Sequence, residues 1–151
     1  MGRLEVKNEI VINATAEKVW DALVNPAQTK KYMFGCEALS DWKVGSTLLW
    51  EGEYEGKKMV FVKGSIVAIS PQVLLAYTVI DPNNPNMPDI PSNYLLVEYF
   101  IESHGVGTSL LRVVQSGFEG AVRGKERYEE TYNNGVGWQP ILDQIKALCE
   151  I

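Results

Sequence analysis

GTSLLRVVQSGFEGAVRGKERYEETYNNGVGWQPILDQIKALCE, residues 107–150, holds the change of period that decides the fold. Over 108–115 the chain is rich in β-branched and apolar residues, which predicts a strand. After Gly117 the spacing changes: Trp138, Ile141, Leu142, Ile145, Leu148 and Cys149 fall at i, i+3, i+4, i+7, i+10 and i+11, one face of a helix. A long amphipathic helix therefore closes the chain. Upstream, Tyr128 and Tyr132 lie one turn apart on a compatible face. Asn133, Asn134, Gly135 and Gly137 are poor helix formers and Pro140 removes a backbone donor, which predicts a bend there rather than a break.

Working back from that stretch, residues 36–115 read as strands separated by turn chemistry: Val44-Gly45-Ser46, Glu55-Gly56, Ser70-Pro71-Gln72, a Pro/Asn loop, and His104-Gly105-Val106-Gly107. The clearest strands span 47–54, 59–69, 74–80, 94–102 and 108–115, with a shorter one over 37–40. Short turns make neighbours antiparallel. At the N-terminus, residues 4–12 alternate with Leu4, Val6, Asn8, Ile10 and Ile12 on one face, a seventh strand. Thr15 caps a helix carrying Val19, Trp20 and Leu23, and Asn25-Pro26 ends it and starts a second that reaches Tyr32. The expected fold is α+β: a seven-stranded curved antiparallel sheet, two short helices and a long C-terminal helix, one domain over residues 1–151.

Composition narrows the function classes. A chain of 151 residues buries enough surface to fold without metal or disulfide. Its two cysteines, Cys36 and Cys149, stand outside any metal or redox spacing and read as small reduced thiols, which points to the cytoplasm. The N-terminus has no uninterrupted apolar run, so neither a signal peptide nor membrane insertion is expected. Gly2 could suggest myristoylation, but Val6 stands where that motif needs Ser or Thr. A net charge of −5 argues against a nucleic-acid partner.

Chemistry-bearing clusters are sparse. His104 is the only histidine, sits in a predicted turn, and leaves no two-histidine metal site; no metal or cofactor is expected. Glu51, Glu53 and Glu55 alternate, which suits the solvated face of a half-buried strand better than a cation site. Glu98 and Glu102 are expected outward, with Leu95, Val97, Tyr99 and Ile101 inward. In the loop over 81–92 four prolines recur every third residue; it reads as a stiff connection at a pocket rim, able to act as a lid, in preference to a P-x-x-P ligand. The informative residues are aromatic. Trp50, Tyr77, Tyr99, Tyr128 and Tyr132 fall on inward faces, and with Gln115 they form the expected ligand-binding set, since aromatics with a few hydroxyls suit a largely apolar ligand.

Local runs then carry a resemblance. INATAEKVWDALVNPAQTKKYM (12–33), DWKVG (41–45), SPQVLLAYTV (70–79), GTSLLRVVQSGF (107–118) and GWQPILDQIKALCE (137–150) resemble, in order and spacing, motifs of the START-like (SRPBCC) superfamily, in particular its branch similar to the activator of heat-shock protein 90 ATPase homologue. Tyr32 stands where that family usually has Trp, and Gln115 where relatives often have His. The resemblance implies a helix-grip fold with a cavity between sheet and C-terminal helix that binds a small apolar or aromatic molecule. It implies two alternatives: a chaperone-associated protein of the stress response acting through its surface, or a cyclase- or aromatase-like enzyme. The separate N-terminal domain of the eukaryotic co-chaperones has no counterpart in this one-domain chain. Few titratable residues face inward, so catalysis is the less favoured reading.

Overall fold

Alternation at the N-terminus becomes strand β1 (Val6–Ile12), which buries Val6 and Ile12 and exposes Lys7, Glu9 and Val11. The computed structural model describes residues 4–150, so Gly2 lies outside the described residues. Thr15 accepts a hydrogen bond from the Lys18 amide (3.3 Å) and starts α1 (Ala16–Val24); Asn25 accepts from the Ala27 amide (3.0 Å) and starts α2 (Pro26–Tyr32), with Pro26 in its first turn. Both helices begin where the capping residues require.

Six further strands follow: β2 (Glu37–Ser40), β3 (Thr47–Tyr54), β4 (Lys57–Ser70), β5 (Leu74–Val79), β6 (Leu95–Ser103) and β7 (Ser109–Ser116). They join β1 in one seven-stranded antiparallel sheet of order β1-β7-β6-β5-β4-β3-β2. From β2 to β7 consecutive strands pair, through short turns except for the loop over 80–94 between β5 and β6, and β7 returns beside β1. The sheet curves at two irregularities, between Trp50 and Glu51 on β3 and between Ile66 and Ala68 on β4. Ahead of the second, β4 and β5 approach so closely that Gly64 is obligatory, since a Cβ there would lie 1.6 Å from the Thr78 carbonyl oxygen.

The C-terminal segment packs on this sheet in two pieces, α3 (Gly124–Tyr132) and α4 (Gln139–Cys149). The expected bend is a break. Asn133 (φ 44°) and Asn134 (φ 56°) adopt the left-handed conformation that Asn tolerates better than most residues, and a single 3₁₀ turn, Asn133–Gly135, follows α3. Pro140 does not interrupt a helix: it sits in the first turn of α4, where no intrahelical donor is needed. Leu142, Ile145 and Cys149 bury α4 against β1, α1 and α2. The helix-grip arrangement holds, with α4 as the gripping helix.

Candidate functional site

A recess of about 450 Å³ lies on the inner face of the sheet, partly open to solvent. Its floor comes from five strands: Trp50 of β3, Phe61 and Val62 of β4, Tyr77 and Val79 of β5, Val97 of β6 and Gln115 of β7. The turn after α2 supplies Met33, Phe34 and Cys36, and the residue before α4 supplies Trp138. Phe34, held at φ 54° and almost fully exposed, stands at the mouth. None of the lining residues is charged.

Local sequence explains how these side chains meet. Register between β3 and β4 shifts so that Trp50 pairs with Val62 and Glu51 with Val60, leaving Phe61 as the extra residue of a bulge. Two consecutive side chains of β4, Phe61 and Val62, therefore line one recess, which strict alternation forbids. Trp138 is placed by Asn8, whose Oδ1 accepts from the Trp138 amide (2.9 Å) and whose Nδ2 donates to the Val136 carbonyl (3.2 Å). Between those two bonds sits Gly137 (φ 50°), where a Cβ would come within 2.3 Å of Asn8 Oδ1. Asn8 thus fixes the break ahead of α4.

An aromatic chain runs along the recess and beneath it. Ring centroids are 6.0 Å apart for Trp50 and Tyr77, 6.3 Å for Tyr77 and Tyr99, and 5.9 Å for Tyr99 and Trp138, the last pair edge to face. Trp138 Nε1 donates to Gln115 Oε1 at 2.9 Å. Burial holds the Tyr77 hydroxyl well above its ordinary ionisation range, the Tyr99 and Tyr32 hydroxyls beside it adding to the effect. Tyr99 is raised by burial as well, and its oxygen is sealed in the core with no hydrogen bond of acceptable geometry, although the Tyr77 hydroxyl is near enough to influence it. Burial also pushes the Cys36 thiol up, away from the thiolate that nucleophilic chemistry needs.

Of the six residues expected to bind ligand, Trp50, Tyr77 and Gln115 line the recess. Tyr99 lies behind the lining, buried between Tyr77 and Trp138. Tyr128 and Tyr132 lie elsewhere, a correction to the inward face expected of them. They stack on each other at 5.5 Å, Tyr128 meets Phe118 edge to face, and Tyr132 is 43% exposed. The break separates α3 from α4, so α3 covers a second apolar cluster of Val6, Leu95 and Phe118 instead of the recess.

Sequence reasoning missed Met33, Phe34, Cys36, Phe61, Val62, Val79 and Trp138 as lining residues, and Val97 was expected inward but not at the site. Trp138 carried a signal, as an aromatic beside a Gly-rich break; the bulge residue Phe61 carried none.

The proline-rich loop is also not a rim element, for none of residues 81–92 lines this recess. Its turns are tied down: Asn83 donates to the Val60 carbonyl (2.8 Å), Asp89 pairs with Lys63 and Tyr94, and Asn93 donates to the Pro88 carbonyl (2.8 Å) while accepting from the Val122 amide (2.8 Å). Other clusters stay apart from the recess. His104 bonds Glu102 (2.9 Å) in the exposed β6–β7 turn, and Glu53 and Glu55 are exposed. Among the described residues no group of three or more His, Cys, Asp or Glu is arranged to hold a metal, and no helix is long and apolar enough to cross a membrane.

Comparison with known proteins returns the same architecture. A family model described as "Activator of Hsp90 ATPase homolog 1-like protein" matches residues 13–150. A solution structure of a Cytophaga hutchinsonii protein is 34% identical, with 98% of this chain and 95% of that chain covered at a TM-score of 0.70. At 16% identity the Aha1 dimer from Colwellia psychrerythraea covers 97% and 96% at a TM-score of 0.69. An HSP90 activator from Plasmodium falciparum, 14% identical, covers 97% and 96% at a TM-score of 0.67. The last two likenesses are of fold. No curated protein matches the chain.

Proposed function

The chain belongs to the activator of Hsp90 ATPase homolog 1-like family, and from that premise we propose that it is a single-domain, cytoplasmic binding module that holds a small apolar or aromatic molecule in the recess. The observation that carries this reading is the lining itself: about 450 Å³ walled by Trp50, Phe61, Tyr77 and Trp138, without one charged residue. An apolar, aromatic lining with one polar amide is the kind of wall that small-molecule sites present. Trp50, Tyr77 and Gln115 contact the ligand, and Tyr99 acts through the rings it supports. Tyr128 and Tyr132 are left out of the site.

A thermal-shift screen of steroids, flavonoids, polyketide-like aromatics and fatty acids, paired with native mass spectrometry, tests the proposal. A ligand at one hundred times its Kd should add about 2.7 kcal/mol of stability. Neutral ring systems should outrank fatty acids, because the recess has no cation to meet a carboxylate. If nothing co-purifies and no compound moves the melt, the reading is wrong.

A chaperone partner is the second reading, favoured by the family description and by the likeness in fold to an HSP90 activator. Stimulation of Hsp90 ATPase by this chain, unchanged by a saturating ligand of the recess, would support it. The cyclase- or aromatase-like alternative finds no carboxylate, imidazole or amine among the lining residues to carry acid–base steps.

A further inference from the structure

Gln115 is 7% exposed and lies on β7, paired on one side with Val6 of β1 and on the other with Val97 of β6. Its amide has two ends, one accepting and one donating. An indole N–H can only donate, so the atom 2.9 Å from Trp138 Nε1 must be the Gln115 oxygen. That bond removes the ambiguity of a terminal amide and turns Nε2 away from the indole. Nε2 has no hydrogen-bond partner among the described residues, yet it is not sealed off as the Tyr99 hydroxyl is. Trp138 is itself held through its backbone amide by Asn8. The donor is therefore oriented by two linked hydrogen bonds, on a side chain that lines an otherwise apolar recess.

A donor fixed in such a place is satisfied by water when the recess is empty, and must be satisfied by the ligand when water is displaced, or the complex loses that bond. Aromatic walls favour contact with a ring system, and an anion would meet neutral donors but no countercharge. Resting on the recess being a ligand site, we infer that Gln115 Nε2 is its specificity determinant, selecting a neutral aromatic molecule that carries one hydrogen-bond acceptor of the ketone type. Trp138 acts as the positioning residue, keeping the amide in its donating orientation.

9-Fluorenone and fluorene differ by one carbonyl oxygen and serve as the probes. Wild-type protein should bind fluorenone about tenfold more tightly than fluorene in calorimetric titration. The Gln115 side-chain amide proton resonances should move with fluorenone and stay near their free positions with fluorene. Gln115→Met should bring the affinity ratio to about one. Trp138→Phe removes the indole donor, frees the amide to turn over, and should also lower the ratio, which a purely structural role would not do. Equal binding of the two probes by the wild type, or a preference that survives Gln115→Met, overturns the assignment of the donor and leaves the ligand site standing. Binding of neither probe, with no resonance moving, overturns the ligand-site reading and the donor with it. Should Gln115→Met fail to fold, the wild-type ratio, the amide resonances and Trp138→Phe decide.

Discussion

Cys149, at the end of α4, is buried to 2% exposure, and burial raises its thiol from an ordinary 9.0 to about 11. The unfolded chain gives up this proton first as pH rises, so between pH 9 and 11 the folded state binds the extra proton and stability falls with pH. The thiol's contribution is complete below pH 9 and lost as pH passes through 11. The buried hydroxyls of Tyr32 and Tyr77, raised in the same direction, carry the fall further. Denaturant melts from pH 8 to 11 should therefore show a steady decline, and Cys149→Ala should make the part between 9 and 11 shallower. A slope unaltered by that substitution would place the thiol in a more polar setting. At this scale much was legible: Thr15 and Asn25 cap where their side chains allow, and both cysteines, which read as small reduced thiols, are free and buried. The role of Asn8 was not, because a polar residue on an apolar strand face reveals nothing of a partner 130 residues away.

Helix boundaries show the same division one level up. Strands β2 and β3 have the extents that the turns around them predict, and α2 reaches Tyr32 as Asn25-Pro26 and its length lead one to expect. Sequence predicts only a bend between α3 and α4, because Asn133, Asn134 and Gly135 lower helix propensity without stating which conformation replaces the helix. Asn8 supplies the answer by binding both sides of Gly137. Asn8→Ala should cost about 1–2 kcal/mol of stability, since it leaves the Trp138 amide and Val136 carbonyl without their partner. It should also alter the tryptophan fluorescence of the folded protein, as Trp138 is no longer held against Gln115. Asn8→Asp, which keeps an acceptor for the Trp138 amide, should lose less. Equal stability of wild type and Asn8→Ala would show that the break holds itself.

Across the whole molecule stability is unevenly spread. α4 buries Leu142, Ile145 and Cys149, while α3 buries only Gly124. Amides of α3 should exchange with solvent through local opening, roughly a hundredfold faster than those at the centres of β6 and β7, which are paired on both sides. Matching protection of α3 and the central strands would mean that the C-terminal segment unfolds with the sheet. The α+β class, the order of elements as far as β7 and the strand extents to within a residue or two followed from side-chain period and turn chemistry, local properties that each segment carries with it. The helix-grip arrangement is what the family resemblance implied. The inward placement of Trp50, Tyr77 and Gln115 was legible as well, since they sit on strands whose inward face alternation identifies, and all three line the recess. Only tertiary structure decided the rest. A register shift between β3 and β4 brought Phe61 beside Val62, and a hydrogen bond from Trp138 to Gln115 set the orientation of the Gln115 amide. Both depend on contacts between segments distant in the chain, and the break that turned Tyr128 and Tyr132 away is fixed by a residue of the first strand.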